Sequence, residues 1–145
     1  MSAASSYLEV KVLSHVLTST AYSQPSGRYV ALFTNTSGNA LANLQNGTLT
    51  DEISTSSTGY ARQTATFAAP ATTGTGLSAV TNTSTNATIT FPTATADWGT
   101  ITHIAVMDAA TAGNVLFFGA VATSKSILNG DTFQITSGNL SVALA

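Results

Sequence analysis

Cysteine is absent from the 145-residue chain and charge is scarce: Lys, Arg, Asp and Glu make up 7% of residues, where about 25% is usual. The first absence removes disulfides, thiolate metal sites and a cysteine nucleophile, so stability must come from packing and backbone pairing. The second excludes a nucleic-acid footprint, which needs several phosphates neutralised at once. The four cations, Lys11, Arg28, Arg62 and Lys125, are widely spaced, and the net charge is −2. No apolar run approaches the ~20 residues of a membrane span. The N-terminus does not follow the basic-then-apolar order of a secretion signal. These features predict a soluble protein made in the cytoplasm, with no membrane and no nucleic-acid partner.

What is present is apolar residue, 43% of the chain, set in short runs against a background of Thr, Ser, Ala and Gly. A low-charge chain that clusters its apolar residues is not disordered. Its length predicts one domain, residues 1–145, able to bury roughly 68–70% of the surface its unfolded chain exposes. The firmest signal is Asp97 to Val121, where two β-branched and aromatic runs flank a segment of small residues ending in Gly113-Asn114. That is a β-hairpin pattern. One helix is expected over about residues 6–17. Ser6 and Glu9 match a capping box, and Leu8, Val12 and Val16, joined by Leu13, form an apolar stripe suited to covering one edge of a sheet or docking on a neighbouring subunit.

Strands are expected from about residue 28 onward. They are Arg28–Thr34, Ala61–Phe67 as a half-exposed strand, Leu77–Thr81, Ala87–Phe91 ended by Pro92, Ser124–Leu128, Thr132–Ile135 and Leu140–Leu144. Asn82–Asn86, Asn129-Gly130-Asp131 and Ser137-Gly138-Asn139 are read as turns, Asn-Gly being the strongest short-range hairpin signal. Residues 35–58 lack periodicity and are expected to be a flexible or partner-binding loop. The sum is an all-β fold, a jelly-roll or Greek-key β-sandwich with one short N-terminal α-helix.

Chemistry-bearing residues do not converge. His15 and His103 are isolated, which disfavours a metal site. Asp97 and Asp108 bracket a strand that would hold them roughly 35 Å apart if extended, too far for paired-carboxylate hydrolysis, so each is expected to cap a turn. No Gly-x-Ser-x-Gly elbow or phosphate loop occurs. No catalytic, cofactor-binding or metal-binding residue is therefore expected, and the protein is read as non-enzymatic. Trp98, Asp97, Asp108 and Gly113 are expected to be structural anchors. Leu8, Val12, Leu41 and Leu44 are candidate interface residues, together with Phe117 and Phe118, which must point to opposite faces of a strand.

The chain resembles a widespread group of small tailed-bacteriophage virion proteins, commonly called tail fibre proteins, some of whose relatives serve as head decoration or cement proteins. The residues concerned are the opening Ser-Tyr-Leu-Glu-Val-Lys-Val-Leu-Ser-His-Val, Tyr29–Thr34, Gly59–Arg62, Ile89–Ala94, Asp97–His103 with Asp108–Ala110, Ser124–Ile127 and Gly130–Phe133. The resemblance implies a virion structural protein. A fibre shaft needs a repeat or a coiled-coil trunk, and this chain has neither. The expectation is therefore a capsid cement protein on the capsid exterior, homo-oligomeric and bridging major capsid protein subunits. The alternative is a tail-fibre or tail-tip component aiding host attachment.

Overall fold

The computed structural model describes residues 3–73 and 81–144. Its elements in chain order are β1 (Ala3–Ala4), α1 (Ser6–Leu17), β2 (Tyr29–Phe33), α2 (Ala40–Gln45), β3 (Gln63–Thr64), β4 (Ala71–Thr73), β5 (Thr81–Thr85), β6 (Ile89–Thr90), β7 (Gly99–Met107), β8 (Val115–Ile127), β9 (Gln134–Ile135) and β10 (Ser141–Leu144). All strand pairs are antiparallel and fall into a five-stranded sheet, β1-β8-β7-β2-β3, a three-stranded sheet, β10-β5-β4, and a two-stranded sheet, β6-β9.

The Asp97–Val121 signal becomes the β7–β8 hairpin at the centre of the large sheet. Val30 and Leu32 of β2, with Ile101 and Ile127, pack on Ile89, Phe91, Phe133 and Ile135, so one face of that sheet is covered by β6-β9. Ala31, Phe33, Ala105 and Met107 point the other way, onto Leu44 of α2 and Leu49. The all-β class with an N-terminal helix thus holds, and α2 is a second helix that covers the opposite face.

Four sequence readings change. Ser124–Leu128 is no separate strand but the end of β8: Lys125 pairs with Ile101 and Ala120 with His103, five residue steps on β8 against two on β7. The surplus is taken up in a bulge, which bends and twists a strand locally. Asn82–Asn86 is not a turn, since β5 occupies Thr81–Thr85, where β-branched Thr favours extended backbone. Leu77–Val80 of the expected preceding strand lie outside the described residues. Asn129-Gly130 closes no hairpin, because β9 pairs with β6; instead Gly130 N–H donates to the Ala94 carbonyl at 2.8 Å. Finally, residues 35–58 hold α2 and are tied down internally. Asp51 accepts from Ser37 N–H at 2.8 Å and from the Ser37 hydroxyl at 2.5 Å, and Phe33 bridges to Glu52.

Candidate functional site

At the Trp98 end of the hairpin, Trp98 is buried, with its ring edge-on to Tyr60 and Phe91 at centroid distances of 5.4 and 6.5 Å. Its indole N–H donates to the Thr58 carbonyl at 2.8 Å, satisfying the one polar atom that burial would otherwise penalise. Asp97 accepts from Asn129 N–H at 2.8 Å. At the other end Asp108 accepts from Asn114 N–H and Nδ2 at 2.6 and 2.7 Å, closing the turn in which Gly113 takes φ +73. The two Asp therefore sit at opposite ends of one strand, each capping its own turn.

A charged centre built around Glu52 is not visible in the local alternation pattern. Arg62 is buried, where alternation over Ala61–Phe67 predicts a half-exposed strand, and Tyr60 is buried beside it, because both turn in toward Glu52. Arg62 Nε and Nη2 donate to the two Glu52 oxygens at 2.6 and 2.7 Å, and Nη1 donates to the carbonyls of Ala109 at 2.9 Å and Ala112 at 2.6 Å. The Tyr60 hydroxyl donates to Glu52 at 3.2 Å and accepts from Leu32 N–H at 3.0 Å. Burial, and next the neighbouring Glu52 charge, push the Tyr60 phenol well up from its ordinary value, so it stays a neutral donor. This group clamps the 51–53 segment, β2 and the β7–β8 turn together. With all three Arg62 guanidinium nitrogens engaged and the acid ion-paired, it is built for structure rather than proton transfer. Its one legible signal was scarcity: Arg62 and Glu52 belong to the few charges the chain has.

The expected interface residues divide. Leu44 is buried between α2 and the large sheet, Phe118 is buried on that same face, and Leu8 is buried against Val106 and Leu116. These three fill the chain's own core and are withdrawn as outward-facing candidates. Phe117 is half-buried on the opposite face from Phe118, whereas Val12 and Leu41 are exposed. The helix cap also shifts by one residue: Ser5, not Ser6, is the N-cap, its hydroxyl accepting from Leu8 N–H at 3.3 Å. Ser5 is itself buried, donating its N–H to the Leu116 carbonyl at 3.0 Å and its hydroxyl to the Val115 carbonyl.

Two of the concave regions are lined by described residues. A cleft of ≈ 310 Å³ lies between β8 and the β9–β10 segment, lined by Ile104, Val106, Phe117, Phe133 and Leu140 and by no titratable residue. A depression of ≈ 240 Å³ beside α2 holds His103 next to Asn35 and Asn39. Burial lowers the His103 pKa, and its Nδ1 lies 2.8 Å from the Thr102 hydroxyl, so it too is held within the sheet. Among the described residues no three metal-ligating side chains come together, and no helix is long and apolar enough to cross a membrane.

The described residues thus form a layered antiparallel β domain that keeps apolar side chains at its surface and in which no three metal-ligating side chains converge. The family comparison is specific: the chain belongs to the family described as Podophage GP4 fiber I protein gp80, whose model matches residues 3–143. The protein is thereby a member of a phage virion fibre family. Comparison with curated proteins finds no match.

Proposed function

We propose that the chain is a non-enzymatic structural component of a podophage fibre, a compact module that joins fibre parts through apolar surface rather than forming a shaft. The observation behind this reading is the family match along residues 3–143, nearly the whole chain, to a fibre protein. The arrangement of side chains is consistent with it: the polar cluster Glu52–Arg62–Tyr60 is bonded internally, and the cleft beside β8 is lined by no acid or base to lend to a reaction.

A second reading, a cement protein bridging major capsid protein subunits on the capsid exterior, is favoured by the compact shape and by the lack of any repeat or heptad. The fibre reading now stands first because the family is described as a fibre protein. Immunogold labelling and quantitative mass spectrometry of purified particles separate the two. A handful of copies confined to the tail or neck is expected. A copy number near that of the major capsid protein, spread over the shell, would establish cementing instead.

A further inference from the structure

The depression of ≈ 240 Å³ beside α2 brings His103 of β7 together with Asn35, Asn39, Leu41 and Ala42, from the segment that leads into and begins α2. His103 is only 7% exposed. Its Nδ1 is engaged by the Thr102 hydroxyl, whereas its Nε2 has no hydrogen-bond partner among the described residues and is not sealed from solvent. A polar atom unpaired at such depth is costly unless something meets it from the depression. The two amides beside it are each half-used. Asn35 Oδ1 accepts from Ala40 N–H at 2.9 Å, which fixes that amide and leaves its Nδ2 unbonded among the described residues. Asn39 Nδ2 donates to the Ser37 carbonyl at 3.3 Å, and its Oδ1 is left unbonded in the same way. No charged side chain lines the depression, and the neighbouring Asp51 carboxylate is already bonded by the Ser37 N–H and hydroxyl. An anion is repelled by that carboxylate, and a cation finds no acid in the lining.

We propose that this depression binds one ring of a neutral saccharide, with hydroxyls on His103, Asn35 and Asn39. Three groups wait for partners there: a donor at Asn35 Nδ2, an acceptor at Asn39 Oδ1, and an imidazole nitrogen that is one or the other according to tautomer. Burial lowers the His103 pKa, so the ring is neutral at pH 7 and keeps that choice. A hydroxyl is donor and acceptor at once, so it satisfies Nε2 in either tautomer, and neighbouring hydroxyls complete the two amides. Leu41, 50% exposed, and Ala42 supply an apolar patch for the C–H face of the same ring. The amides are held by their tied ends, so the site is organised before the ligand arrives. Its volume lies below the ~300–1,000 Å³ of pockets that take drug-sized ligands, which limits the occupant to a single ring. The inference stands apart from the fibre reading: its test measures binding by the purified chain, not position or copy number in the particle.

The test is a nitrogen-15 NMR titration of the full chain with glucose, galactose, rhamnose and N-acetylglucosamine, each added alone. At least one is expected to shift the His103 imidazole and the Asn35 and Asn39 side-chain amide signals along a saturable curve, leaving Phe117 and Val121 in the other cleft unmoved. His103→Phe is expected to weaken that binding by at least about tenfold, through loss of a hydrogen bond to a buried group. Should His103→Phe not fold by circular dichroism, Asn39→Ala is the second variant, since its side chain is exposed and bonded only to the Ser37 carbonyl; it too is expected to lose affinity. No saturable shift with any of the four sugars overturns the inference, as does full affinity in either folded variant. Oligosaccharides of the responding sugar then fix the source: tighter binding than the monomer assigns a residue within a polysaccharide, equal binding a free sugar, and both uphold the site.

Discussion

Single side chains decide most of what holds this domain together. Trp98 is the clearest case, readable in the sequence as a lone large aromatic beside a strand and found in contact with Tyr60 and Phe91. Trp98→Ala should lower unfolding free energy by ~3–5 kcal/mol, measured by chemical denaturation. Arg62 was legible only as one of few charges, because alternation reports which side of a strand a residue lies on and not whether a distant acid waits there. Arg62→Met should cost ~3–5 kcal/mol, since it strands the Glu52 carboxylate and leaves the Ala109 and Ala112 carbonyls unmet. Asp51 adds a pH dependence. The Ser37 hydroxyl, ahead of the other contributors, holds its pKa below the ordinary value. A carboxylate depressed in this way stabilises the fold fully above the unfolded value of ~3.9, and that stabilisation is lost as pH falls through the lower folded value. Denaturation midpoints of Asp51→Asn should lie below wild type at neutral pH, and the two curves should converge in strong acid.

Among the elements, the β7–β8 hairpin was the most legible and the small strands the least. A long run of β-branched and aromatic residues flanking Gly113-Asn114 has one ready interpretation. Two-residue strands such as β6 and β9 are defined by a partner far away in sequence, which no local pattern encodes. The Asn129-Gly130 turn shows the limit from the other side: the turn forms, but the strand leaving it pairs elsewhere. Gly113 tests the hairpin itself. A Cβ there would meet the Asp108 carboxylate and lie 2.7 Å from the Ala109 Cβ, at a φ that L residues disfavour. Gly113→Ala should therefore destabilise by at least ~1–2 kcal/mol, read as a fall in the denaturation midpoint. Helix α1 was placed correctly along the chain, but its outward side was not legible. Sequence periodicity identifies an apolar stripe without saying whether the chain's own core or another molecule covers it.

For the whole molecule, composition announced an all-β domain, and the layers around the large sheet bear this out. The virion family was legible through resemblance, while the location in the particle was not, because a surface made of hydroxyls and small apolar groups gives little clue to its partner. The same surface yields a prediction for assembly. Contacts made without charge are not screened, so the mass distribution in sedimentation should be the same in dilute and in molar salt. An assembly that dissociates as salt rises would point to ion pairs as its basis.

The anchoring of α1 has a mechanical consequence. Ser5 is bonded to the Val115 and Leu116 carbonyls of β8, and β8 runs antiparallel beside β7 from Gly99↔Ile127 to Met107↔Val115. A load delivered to the helix enters the sheet at the start of its longest strand. The hydrogen bonds joining β8 to β7 stand perpendicular to that strand, so a pull along its axis stretches many of them together in shear instead of opening them one by one. The helix is thus fastened to the longest paired seam among the described strands, where such a pull is shared by the most hydrogen bonds.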